Sequence, residues 1–305
     1  MFRSMFLAMA LCISASAVAK VPPFPAGFQS RDVTANGVTL HVHVGGEGPA
    51  VLLLHGYGES GDMWAPLAAA LKDNHTVIVP DLRGMGLSSH PADGFDKLTQ
   101  GRDMQALLTG LGVEHFDVVA HDIGNMVAFA LATQQPDRIG HLVLIDAPVP
   151  GVGPWDEILK MPMLWHFRFG GPDMERLVAG RERIYLDRFW NEFSAHPDRF
   201  DEQSRQHYAA LYARPGAMRS GFAQFAAFDQ DAVDNRAWLA AGNRLSMPVL
   251  ALGGEKSFGA TMAVVMRAAA SNVTEGIIPD SGHWIMEENP QATVSRIVSF
   301  LGNEP

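Results

Sequence analysis

Cysteine is almost absent from this chain: Cys12 is the only one among 305 residues. It falls in a stretch that reads as a removable leader, so the mature chain is expected to have neither a disulfide nor a thiol nucleophile. Long apolar runs are missing too. The longest near the N-terminus, Met5 to Ile13, is well short of the ~20 residues that cross a bilayer, so no membrane span is expected. Basic charge is in deficit, with 23 Lys and Arg against 33 Asp and Glu and a formal net charge of −10. Loss of Arg3 with the leader would deepen that deficit. Such a balance argues against nucleic acid or an anionic membrane as partner. There is no internal repeat or low-complexity tract, which removes solenoids and extended disorder. No His/Cys cluster has metal-ligand spacing, and neither metal nor organic cofactor is expected.

What is present begins with the leader. Arg3, the apolar run Met5 to Ile13 and Ala17-Val18-Ala19 follow the order of a positive region, a short hydrophobic region and small residues before a cut. Residues 1–19 are therefore expected to be a signal peptide, and the mature protein to be exported, either periplasmic or secreted. The composition of the whole chain, 47 % hydrophobic and 18 % charged, is enough to clothe both faces of a sheet.

Asn36-Gly37 predicts a hairpin turn before the alternating run Val38 to Val44. Short continuous apolar runs follow at Ala50 to His55 and Val77 to Val79, and further strands at Asp117 to Ala120 and His141 to Ile145. Runs of this kind suit strands buried on both faces of a parallel sheet. Helical spacing falls between them at Trp64 to Leu71, Met104 to Leu111 and Gly124 to Gln134. The alternation predicts an α/β fold with a mostly parallel, doubly wound sheet. It stops at Pro148. Helical segments such as Asp173 to Phe193 and Gln203 to Ala213 then occupy the chain until Pro248 to Leu252 resumes the sheet, followed by a helix at Thr261 to Ala270, a strand at Thr274 to Ile278 and a helix at Pro290 to Leu301. The expected organisation is a core of residues 20–149 and 246–305 with a helical cap, 150–245, inserted after the sixth strand and lying over the site.

The decisive motif is Ala120-His-Asp122-Ile-Gly124, where an apolar strand turns sharply into a helix. A turn of this kind lifts one side chain above the sheet, and serine is the usual occupant in hydrolases. Here it is Asp122, a carboxylate that attacks strained or alkylating carbon to form an ester, which water must later cleave. An N-capping aspartate is the bland alternative. Of the 12 histidines, His283 in Ser281-Gly-His-Trp284 has the address of a base, in a loop after the last strand. Asp146 and Glu255 both follow strands and compete as its orienting acid; Asp280 reads as a turn residue. Backbone N–H groups of Tyr57, in His55-Gly-Tyr-Gly58, and of Ile123 are candidates for an oxyanion hole. His166 and Tyr212 are the candidate cap donors for a leaving oxygen, with Tyr185 and Tyr208 as substitutes for Tyr212. Met161, Met163, Phe169 and Phe225 are expected to line or support the pocket.

Together with Ile145-Asp-Ala-Pro148, Trp165-His-Phe167 and Leu211-Tyr-Ala-Arg-Pro215, these motifs resemble the α/β-hydrolase epoxide hydrolases, and among them the secreted Cif type. The resemblance runs over essentially the whole mature chain. It implies conversion of a small-molecule epoxide to a vicinal diol through an ester on Asp122, with His283 as base, Asp146 as its acid, and His166 with Tyr212 as ring-opening donors. The Cif type carries Glu where this chain has Asp146. Fluoroacetate-type haloacid dehalogenases are similar as well, but their resemblance implies arginines just after the nucleophile and tryptophan after the cap histidine. This chain has Ile123-Gly-Asn-Met126 and Phe167 there. A non-catalytic ligand- or protein-binding homologue is the third reading, and a homodimer is left open.

Overall fold

A computed structural model describes Val21 and residues 23 to 302; the expected leader and Cys12 lie outside the described residues. Asn36 and Gly37 both take positive φ, 49° and 80°. That two-residue turn joins β1 (Gln29–Ala35) to β2 (Val38–Gly45) as the expected antiparallel hairpin. Strands β3 (Ala50–Leu54), β4 (Thr76–Pro80), β5 (Phe116–His121), β6 (Ile139–Ile145), β7 (Val249–Gly254) and β8 (Val273–Ile278) complete one eight-stranded sheet in the order β1-β2-β4-β3-β5-β6-β7-β8. β2 pairs antiparallel with β4, and every pairing from β4 to β8 is parallel.

Helices α1 (Ala65–Leu71), α2 (Lys97–Gly110) and α3 (Ile123–Gln134) separate the strands as far as β6. From β6 to β7 the chain is helical, with α4 (Trp155–Ile158), a 3-10 segment Pro162–Arg168, α5 (Pro172–Val178), α6 (Glu182–Glu192), α7 (Glu202–Tyr212), α8 (Ala217–Ala226) and α9 (Phe228–Ala240). α10 (Thr261–Arg267), α11 (Ile285–Glu288) and α12 (Pro290–Leu301) close the fold. The continuous apolar strands serve two cores at once. Leu52, Val118 and Leu142 face α2, α3 and α10, whereas Val51, Val119 and Val143 face α1 and α12. Side chains that alternate across a sheet covered on both sides make every position apolar.

Two boundaries differ from the expected ones. α2 opens at Lys97 rather than near Met104, because the Asp96 carboxylate accepts the Thr99 N–H and starts the helix in a polar first turn. The segment expected as one helix from Asp173 to Phe193 is split into α5 and α6, with Gly180 at φ 73° between them.

The helices between β6 and β7 sit on the elbow side of the sheet. Trp190 of α6 donates its indole N–H to the Gly58 carbonyl at 3.2 Å. Lys97 at the start of α2 is buried beneath α8 and α9: its Nζ donates to the Gln224 carbonyl at 3.0 Å and lies 3.4 Å from Asp231. Among the described residues, no helix is long and apolar enough to cross a membrane.

Candidate active site

Asp122 is held in a strained backbone conformation, φ 52° and ψ −121°, between the end of β5 and the start of α3. Non-glycine residues with positive φ are uncommon, and where structure enforces one it commonly serves a site. Close packing is the enforcement here. A Cβ on Gly124 would come within 2.5 Å of the Leu54 carbonyl oxygen, and one on Gly56 within 2.5 Å of the Asp122 Cβ. Both neighbours must therefore be glycine for the turn to close. The carboxylate makes no capping bond to α3, so the bland reading of Asp122 as a helix cap does not hold. Its Oδ1 instead accepts the Tyr57 N–H at 2.7 Å, from the loop after β3. Ile123 opens α3, where N–H groups have no intrahelical acceptor.

His283 follows β8 and stands between two carboxylates. Its Nε2 lies 3.8 Å from Asp122 Oδ2, and its Nδ1 2.9 Å from Asp146 Oδ2. Asp146, at the end of β6 with φ 51°, is fully buried. Its Oδ1 accepts N–H groups from Gly254 at 2.8 Å and Phe258 at 3.2 Å. Burial alone would lower the His283 pKa; the hydrogen bond and charge of Asp146, then the charges of Asp122 and Glu59, outweigh it and raise the value to about 9. Glu255 is elsewhere. It is exposed beside β7, ion-paired with Lys256 at 3.5 Å, and accepts the Asp280 N–H at 3.1 Å. The structure thus resolves the competition between the two acids in favour of Asp146 as the partner of His283. Asp280 does occupy a turn, with φ 53°, and its carboxylate receives Arg199 and His196 at 2.7 and 2.6 Å.

Asn125 welds these parts together. Its side-chain amide donates to the carbonyls of Ile145 and Ala147 at 2.8 and 3.0 Å and accepts the Ile145 N–H at 2.9 Å. A residue of the elbow helix is thereby bolted to the backbone on either side of Asp146.

Above this lies a cavity of about 260 Å³. Asp122 and His283 are on its floor, and Met163, Leu164, Phe167, Phe189 and Phe225 are among its walls. His166 projects into it from the 3-10 segment and is the one polar side chain that the helices between β6 and β7 contribute to the wall. Its ring packs edge-on against Phe189 and Phe225, at 4.9 and 5.1 Å between centroids. Burial lowers its pKa to about 4, the charge of Asp122 only partly opposing this, so His166 is a neutral imidazole at neutral pH.

Residues 49–290 match the model of the alpha/beta hydrolase fold family. The chain belongs to that family. It is 32 % identical over 274 residues to a soluble epoxide hydrolase from Corynebacterium sp. (strain C12), covering 87 % of this chain and 94 % of that one. It is 28 % identical over 296 residues to a fluoroacetate dehalogenase from Burkholderia sp, covering 91 % and 95 %. A solved structure of the epoxide hydrolase CorEH without ligand superposes with a TM-score of 0.83 at 30 % identity, covering 90 % of this chain and 98 % of that one.

This α/β-hydrolase departs from the expected site at Tyr212. The residue does not reach the cavity. Its ring stands behind that of Tyr57, 5.2 Å between centroids, and its hydroxyl accepts the Gly58 N–H at 2.8 Å. Tyr57 is the tyrosine on the wall. Tyr185 and Tyr208 are off the wall as well, as is Phe169, while Met161, Met163 and Phe225 line it.

Sequence reasoning also missed a buried acid group behind the base. His121 donates from Nε2 to the His283 carbonyl at 3.0 Å, and its Nδ1 lies 3.4 Å from the fully buried Glu59. Burial lowers the His121 pKa to about 4 and pushes the neighbouring carboxyls of Glu59 and Glu287 up. The strand-end address of His121 and the His-Gly-Tyr-Gly-Glu59 run were legible, but their convergence with Glu287 of α11 was not.

Proposed function

We propose that this α/β-hydrolase is an epoxide hydrolase. Asp122 attacks a carbon of the epoxide and forms an ester, and the oxygen released is held by the His166 N–H. His283, aligned by Asp146, then takes a proton from water; the water oxygen adds to the ester carbonyl, and a vicinal diol leaves. The Tyr57 and Ile123 N–H groups are poised to hold the oxyanion of that second step. The observation that carries the reading is the placement of an uncapped carboxylate 3.8 Å from a base, facing a single imidazole donor across an apolar cavity.

Among the described residues, no arginine lines that cavity, and its one lysine, Lys256, is paired with Glu255. A haloacid carboxylate would find little to bind it, which favours epoxides over the chemistry named for the dehalogenase relative. The likeness to the Cif type is supported by His166 at the cavity wall, whereas Tyr212 is engaged with Gly58. The order of Arg3, Met5 to Ile13 and Ala17-Val18-Ala19 supports export of the mature enzyme.

The test is a single turnover in water enriched in heavy oxygen. An Asp122 ester puts the label on Asp122 and leaves the first diol unlabelled. Label in that first diol, or undiminished activity of Asp122→Ala, sinks the proposal.

A further inference from the structure

We propose that the preferred substrates are epoxides bearing an aryl group on one ring carbon, and that Asp122 attacks that aryl-bearing carbon. The inference rests on the epoxide-hydrolase reading above.

Displacement at carbon expels the ring oxygen on the side away from the attacking carboxylate. From Asp122 that direction leads to the wall formed between β6 and β7. That wall offers one polar side chain, His166; its other contacts are Met161, Met163, Leu164 and four phenylalanines. Tyr212 is withdrawn to Gly58, and the Tyr57 hydroxyl is buried against α8 beside Gly221. The departing oxygen therefore receives one hydrogen bond from a neutral imidazole, the proton affinity of His166 being low. With so little acid assistance, the carbon–oxygen bond breaks readily only where the carbon itself tolerates positive charge.

The aromatic rings of that wall, with Trp284 beside it, supply the complement. Phe189, Phe193, Phe225 and Trp284 surround the two histidines. Aromatic faces carry negative potential and stabilise a carbon that becomes positive in front of them. A benzylic carbon delocalises that charge, and its ring packs against the same faces. In the step, an Asp122 oxygen bonds to the benzylic carbon and that carbon's bond to the ring oxygen breaks. The electron pair stays on the oxygen, held by His166. After ester hydrolysis the two hydrogens of one water end on the two diol oxygens, and Asp122 is regenerated as carboxylate.

The experiment compares styrene oxide with cyclohexyloxirane, which has nearly the same shape but no π system, using the full mature enzyme. Steady-state turnover in heavy-oxygen water marks the carbon attacked, and fragment masses of the diol locate the label. The expected result is a kcat/KM for styrene oxide roughly tenfold or more above that for cyclohexyloxirane, with the label on the benzylic carbon. A smaller preference, or label on the terminal carbon, overturns the inference while leaving the epoxide-hydrolase reading intact. Diol from neither compound, nor from a wider set of epoxides, overturns both.

Discussion

Asp146 divides its two oxygens between a backbone and a side chain: Oδ1 accepts the Gly254 N–H at 2.8 Å, and Oδ2 faces His283 Nδ1 at 2.9 Å. The carboxylate is thus aimed by β7 before it aims the imidazole. Asp146→Asn keeps the shape but removes the charge, and an amide NH₂ cannot accept the proton on Nδ1. By analogy with other oriented histidines, kcat should fall by roughly 10³- to 10⁴-fold. Glu255→Gln should change kcat by less than about twofold, since its pairs are exposed. Steady-state kinetics on the two variants separates the assignments.

The pH dependence of ester cleavage follows from the charges around His283. A raised pKa of about 9 means that the free enzyme carries the imidazolium at neutral pH, whereas the base must be neutral. Esterification removes the charge of Asp122, one of the groups raising that pKa. Asp146, Glu59 and the nearby ring of His121 continue to face the base. Where ester cleavage limits turnover, kcat should therefore rise with pH and level off below pH 9. A kcat that falls with increasing pH through the neutral range contradicts this.

Glycine at the elbow is a packing requirement. Gly124→Ala would press a methyl group onto the backbone oxygens of Leu54 and His55, 2.5 and 2.7 Å away, which cannot retreat without moving β3. A loss of about 2–4 kcal/mol is expected from urea unfolding. Gly56→Ala would strike the Asp122 side chain itself, so activity should fall even where the variant folds.

Acid should weaken the fold through its neutral histidines. The folded-state pKa values of His121 and His166 are lowered from 6.5 to about 4. Each therefore contributes fully above pH 6.5, and the contribution is lost as pH falls toward 4. The loss is on the order of 3 kcal/mol per residue at most. Urea midpoints at pH 7.5 and 4.5 should differ less for His166→Gln than for the parent; an unchanged difference would mean that His166 is not held neutral.

The central strands were legible because their middles are short apolar runs, the opening hairpin because Val38 to Val44 alternates after Asn36-Gly37, and the elbow because Asp122 and Gly124 sit where a strand must become a helix. The identity of the acid was harder. Asp146 and Glu255 both end strands, and only the side-by-side placement of β6 and β7 shows Gly254 feeding one of them. Tyr212 misled for a related reason. Helical spacing says which residues share a face of α7, but not that Tyr57 of the core fills the wall in front of it. Glu59, His121 and Glu287 come from three separate segments, and no local pattern announces that they meet.

Asn125 links the elbow to the end of β6 through three hydrogen bonds from one amide. The nucleophile and the acid that orients the base are therefore carried on a single rigid body, whatever the overlying helices do. Those helices contribute one imidazole and an apolar surface. New substrates can be reached by rewriting residues 155 to 240 without disturbing the spacing of the reacting groups, whereas a change at Asn125, which touches no substrate, would detune the two halves of the reaction together.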